Sequence, residues 1–177
     1  MKIIRSHCMA LLGFCLHSAL LAAGPTASGD GHASHAHGQG QLELVVQGSD
    51  VQVRFEIPME SLLGHEHLPR TKAQKQALAS LQESVKQGSD FIKLPTDAAC
   101  QLKESKAASA MFKGQMSEHS DLDLSLTFSC AKPAALTQVE LAVFSKYPRL
   151  SALKVDMLTP KGQGSATLKA KNPVLRW

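Results

Sequence analysis

The chain of 177 residues carries eight histidines, and their spacing is the first chemical signal in it. His32, His35 and His37 lie within six residues; His65 and His67 flank Glu66 just after Gly64; His119 precedes Asp121 and Asp123 at alternating positions. A neutral imidazole is the commonest protein ligand for zinc and is also accepted by nickel and copper(II). Three on a pliable segment can converge on one ion, provided binding overcomes the entropy of ordering that segment. In the second cluster His65 and His67 can ligate directly, and Glu66 can ligate or orient an imidazole. Same-face residues of a strand lie roughly 6.5 to 7 Å apart, so His119, Asp121 and Asp123 cannot enclose one ion by themselves. One of them can complete a site begun by the His65–Glu66–His67 loop.

Other chemistries are poorly served. There is no His-Glu-x-x-His, no Gly-x-Ser-x-Gly elbow, no phosphate-cradling glycine loop and no dinucleotide fingerprint. The imidazole excess disfavours carboxylate-rich calcium coordination, and Met59, Met111, Met116 and Met157 are too scattered for a copper(I) site. Aromatic residues make up 5% of the chain, too few for a base- or sugar-stacking platform. Nucleic acid is a poor partner, because the formal charge is only +4 and falls to +2 without Lys2 and Arg5.

Those two residues belong to a segment with the build of a secretory signal peptide. A basic start is followed by an apolar stretch from Cys8 to Ala23 and small residues up to Gly24. Residues 1–24 are thus expected to be removed on export to the periplasm, leaving a chain with no membrane insertion. Phe14 before Cys15 makes a poor lipidation site. Export leaves Cys100 and Cys130, whose most economical reading in an oxidising compartment is one disulfide; two buried thiols are the alternative.

Residues 25–40 hold almost nothing that could be buried and read as a disordered, histidine-bearing arm. Alternation over Gln41–Gln47 and Val51–Ile57, across Gly48-Ser49-Asp50, predicts a β-hairpin. Pro58 to Leu63 before Gly64 predicts one helical turn. Thr71 to Gln74 has capping-box form, and Ala77, Leu78, Leu81 and Val85 continue a helix over about 71–87 to Gly88. Lys103–Glu118 reads as an exposed loop, and strands are expected at Leu122–Cys130, Gln138–Phe144, Leu150–Leu158 and Gly164–Ala170. The sum is a single α+β domain over 41–177, mainly antiparallel strands with one main helix.

Several of these pieces are familiar together. His35-Ala36-His37-Gly38 ahead of a hydrophobic strand, Ile57-Pro58-Met59, Gly64-His65-Glu66-His67-Leu68-Pro69-Arg70-Thr71, Cys100, His119-Ser120-Asp121, Cys130, Val143-Phe144 before Tyr147-Pro148, and Gly162-Gln163-Gly164 follow one another in an order that resembles the ZrgA-like family of zinc-binding periplasmic proteins of Gram-negative bacteria. The resemblance implies a zinc binder that supports zinc uptake by delivering Zn²⁺ to an inner-membrane transport system or buffering it, with His35, His37, His67 and His119 matching histidine positions of the family pattern. His65 stands where members usually have an aromatic residue, and Met111–Glu118 lacks the long histidine-rich insertion that many carry. The expectation is therefore an exported, non-enzymatic Zn²⁺ binder. Its core site would be built from His67 and His119, assisted by Glu66, His65 or Asp121, with the His32-His35-His37 arm recruiting or covering the ion. The rivals are a periplasmic assembly module with incidental histidines and a zinc hydrolase using Glu66 as general base.

Overall fold

Alternating side chains produce the predicted hairpin. Strands β1 (Gln39–Gln47) and β2 (Asp50–Pro58) run antiparallel from Gln47 opposite Asp50, joined by Gly48-Ser49. Leu42, Leu44, Val51, Val53, Phe55 and Ile57 point to one face and are buried. The computed structural model describes residues 37–116 and 120–177, all within one compact unit, Ser34–Trp177. The signal segment, His32, His35 and His119 lie outside the described residues.

β1 starts two residues ahead of the expected Gln41, so residues 37–40 belong to the fold rather than to the arm. Backbone hydrogen bonds about the buried Gly38 hold them: its carbonyl accepts from the N–H groups of Ser151 and Ala152 and from Ser151 Oγ. Gly40 must be glycine-like here, since a Cβ would lie 2.8 Å from the Glu56 carbonyl oxygen.

After β2 come α1 (Met59–Leu63), the expected single turn closed by Gly64, and α2 (Lys72–Gln87), capped by Thr71 and Gln74 and closed by Gly88. The stretch expected as a loop from Lys103 contains instead β3 (Cys100–Ala108), an edge strand, and then a 3-10 turn that buries Met111. A bulge between Leu102 and Glu104 breaks its alternation, and its polar side chains are those of a solvent-facing edge, so no period-two signal reaches the sequence. β4 (Asp121–Cys130) matches the clearest sequence signal. Of the strand expected over Gln138–Phe144, only β5 (Gln138–Glu140) is extended; Val143–Lys146 turns into the short helix α3, burying Val143 and Phe144. β6 (Ala152–Thr159), β7 (Gly162–Lys169) and β8 (Val174–Arg176) complete the chain.

The main sheet has the order β3-β4-β2-β1-β6-β7, antiparallel except for the β1–β6 pair, while β5 and β8 form a small separate ladder. Its inner face, with Leu122, Leu124, Leu126, Leu153 and Val155, meets Leu81 and Val85 of α2 together with Phe91 and Tyr147 in one core. This is the mainly antiparallel α+β architecture with one main helix. Cys100 and Cys130 are Cα partners in the β3–β4 ladder and form the expected disulfide.

Candidate metal centre

Two helix signals fix the loop that carries the second histidine cluster. Gly64 adopts φ 80° as the left-handed cap of α1, and a Cβ there would fall 2.8 Å from the Arg149 guanidinium carbon. At the other end the Gln74 side chain accepts from the N–H groups of both Arg70 and Thr71. Between these anchors, Pro69 included, five residues have little freedom.

Within the loop the His65 and His67 rings stack, centroids 4.7 Å apart and planes within 18°. His65 Nδ1 donates to the His67 carbonyl and His67 Nδ1 donates to the Leu68 carbonyl, each at 2.8 Å. A carbonyl oxygen only accepts, so in the neutral form each ring carries its proton on Nδ1 and presents a bare lone pair at Nε2. This is the arrangement by which a metal-binding histidine is held in the correct tautomer. His65 Nε2 is buried and has no hydrogen-bond partner. Near-parallel planes keep the two lone pairs from converging, so one ion held by both would require the rings to hinge apart.

The same end of the sheet gathers the other unsatisfied groups. Among the described residues three buried side-chain polar atoms lack a partner: His65 Nε2, Ser109 Oγ and Ser120 Oγ. Ser109 follows the last residue of β3, Ser120 precedes the first of β4, and the Ser120 carbonyl accepts the Met59 N–H at the start of α1. Orphaned buried polar atoms are uncommon enough in native proteins to mark strain, chemistry or a missing ligand. Met116 closes on the loop as well, its sulfur accepting the Leu68 N–H at 3.3 Å.

The residues that lead into β1 meet α1: His37 Nδ1 lies 3.4 Å from Glu60 Oε2, and the buried Ser61 hydroxyl accepts the Gly38 N–H. Of the residues singled out in the sequence, the structure thus places His65 and His67 together and brings His37 to the helix that precedes them. Glu66 is exposed, and among the described residues no hydrogen bond joins it to an imidazole. Asp121 sits opposite Pro58 at the start of β4, and Asp123 pairs with Arg54 across the outer face. Among the described residues no group of three or more His, Cys, Asp and Glu stands ready to hold a metal ion. Glu60, Met116 and Arg149 were not legible as part of this region. Glu60 carried a weak signal as the acid in the first turn of the expected helix; the other two reach it from distant segments.

This end of a mainly antiparallel sheet, in an α+β protein, thus carries two stacked imidazoles whose Nδ1 atoms are engaged by backbone carbonyls. A family model described as ZrgA family zinc uptake protein matches residues 34–177, and the chain belongs to that family. No curated protein matches it. Among the described residues no helix is long and apolar enough to cross a membrane.

Proposed function

We propose that this protein captures Zn²⁺ in the periplasm and holds or hands it on in support of zinc uptake, without catalysing a reaction. The observation that carries the reading is the state of the His65–His67 pair: both Nδ1 protons are committed to backbone carbonyls, and a buried Nε2 lone pair has no partner. Zinc is the cargo here. His67, only half-buried, would meet the ion first, and His65 would follow as the rings part. Two imidazoles leave a tetrahedral ion incomplete. His119, which adjoins Ser120 in the chain, and His37, seated against Glu60, are the proposed completing ligands, with His32 and His35 recruiting the ion from the arm and Asp121 on the adjoining strand.

Binding rather than hydrolysis is the reading because the chain carries no hydrolase motif such as His-Glu-x-x-His. An inner-membrane transport system is the proposed recipient, and the signal-like residues 1–24 supply the route to the periplasm. The test is calorimetric titration of the whole mature chain with Zn²⁺ at pH 7.5 and at pH 5, beside His67→Ala. The reading expects specific binding at the higher pH, weakened at the lower as protons compete for imidazole, and lost by at least about tenfold in the variant. Affinity independent of both pH and His67 would overturn it.

A further inference from the structure

One peptide unit of the histidine loop is held from both sides. The His67 carbonyl accepts the His65 Nδ1–H, and the N–H across the same peptide bond, that of Leu68, donates to the Met116 sulfur at 3.3 Å. The sulfur is thereby coupled to the His65 ring through a single peptide plane, although 48 residues of chain separate it from Leu68. A thioether is a weak acceptor. Of its two lone pairs, only one can point at the N–H.

Exposure singles out the same side chain. Of the four methionines beyond residue 24, Met116 is 60% exposed, Met59 and Met111 are buried, and Met157 is half-buried against the core. A methionine open to solvent is oxidised by peroxides to the sulfoxide. The free lone pair on sulfur attacks one peroxide oxygen, and the O–O bond breaks as the S–O bond forms. The other oxygen departs as hydroxide and takes the proton of the transferred oxygen, leaving as water. Sulfur loses two electrons and the peroxide gains them. The product carries a polar S–O oxygen beside an N–H that had only a weak acceptor.

We propose that Met116 is an oxidative modification site, the first methionine that a peroxide reaches, and that its sulfoxide oxygen takes over the Leu68 N–H and tightens the histidine loop. A stronger acceptor on the N–H polarises the peptide unit and strengthens the hydrogen bond on its other side, the one from His65 Nδ1. The two rings are then held more firmly in their stack. An ion that needs them to hinge apart is bound less well, so peroxide lowers the grip on metal. That last consequence rests on the zinc reading above; the oxidation and the tightening do not.

The test treats the whole mature chain, kept metal-free with chelator, with dilute hydrogen peroxide, beside Met116→Leu and Met116→Gln. Peptide mass spectrometry locates the oxidation, and NMR follows amide exchange and the histidine ring signals. Leucine fills the same space with neither acceptor nor oxidisable sulfur, and glutamine offers a permanent carbonyl oxygen at similar reach. Oxidation is expected at Met116 at least about tenfold faster than at Met59 or Met111. Leu68 amide exchange should then slow by about threefold to tenfold, the range of one modest hydrogen bond, with the His65 ring signals shifted. Met116→Gln should show the slowed exchange without peroxide; Met116→Leu should exchange faster than the parent and ignore peroxide. Even oxidation across the four methionines, Leu68 exchange unmoved or hastened by oxidation, or Met116→Gln behaving like Met116→Leu would overturn the proposal. Zinc titration of the parent before and after peroxide, expected to show an affinity lowered by about threefold, separates the two readings. A slowed amide with no zinc bound in either state keeps the modification site and removes the metal; zinc bound with an unmoved amide removes the modification site alone. Equal zinc affinity beside a slowed amide removes only the link between them.

Discussion

At one end of the six-stranded sheet Cys100 and Cys130 face each other, Cys130 N–H donates to the Ser49 carbonyl, and two-residue turns close β1 to β2 and β6 to β7. At the other end, about 30 Å away along β4, the chain leaves β2 through α1 and the Gly64–Arg70 loop and enters β4 at Ser120. The first end is shut by a covalent bond and short turns. The second collects every buried side-chain polar atom without a partner among the described residues, together with the stacked histidines and Gly38, just ahead of β1. The difference teaches that covalent and turn closure on one side, and unpartnered buried polar atoms on the other, are separated along the strands. Local closure at one end lets the other keep unsatisfied lone pairs without unravelling the sheet.

Removing the staple should produce the largest effect and should touch only stability. Cys100→Ser/Cys130→Ser releases a loop spanning 30 residues in sequence, expected to cost about 3.5 kcal/mol on the chain-entropy account. Urea unfolding measures that loss, and calorimetry on the same variant should find zinc affinity within about twofold of the parent. A collapse of zinc binding would mean that the two ends are not independent.

The complementary change is His67→Ala, which should lower zinc affinity at least about tenfold, roughly 1.4 kcal/mol, while the urea midpoint barely moves. Gly64→Ala tests the loop's anchoring. A side chain at φ 80° is strained and meets the Arg149 guanidinium, so about 1 kcal/mol of stability should go. The His65 and His67 ring signals should shift in an NMR spectrum, with the disulfide end unchanged.

The smallest effect lies away from both ends, where Ser84 donates to Asp90, Lys146 lies 3.1 Å from the same carboxylate, and Tyr147 OH donates to Ser84. The Ser84 hydrogen bond foremost, aided by Lys146, holds the Asp90 carboxyl below its usual range against the opposing effect of burial. A depressed folded-state pKa gives stability that is present above the unfolded value near 3.8 and lost as pH falls through the lower folded one. Asp90→Asn should therefore remove less than about 1 kcal/mol at pH 7, since the carboxylate is a third exposed. It should also flatten the acid limb of a stability–pH curve measured by circular dichroism. Burial pushes the Tyr147 hydroxyl up, so its contribution is complete below pH 10 and fades as pH climbs past that.

Much of this was legible before any fold was seen. The hairpin, α1 with its Gly64 cap, α2 with its Thr71–Gln74 box, β4 and the cysteine pair each announce themselves through a period or a cap that neighbours in sequence enforce. β3 did not, because an edge strand with a bulge and a solvated face has no reason to alternate. Val143 and Phe144 were misplaced in a strand because an apolar pair is buried equally well by a short helix. Of the candidate site, the residue types were legible and their partners were not: nothing local announces that His37 meets Glu60, that Met116 reaches Leu68, or that Arg149 lies over Gly64.

By itself the sequence determined the local chemistry of this protein: imidazoles at short spacing, an inner face for most strands, and two cysteines for one bond. Such properties depend on residues a few positions apart, where covalent geometry limits the outcomes. Only the tertiary structure decided that β1 pairs in parallel with β6, that the disulfide and the short turns share one sheet end, and that β3 and β7 form the two edges. Those follow from which distant segments exclude water together most completely, a competition over the whole chain that no single stretch of it can express.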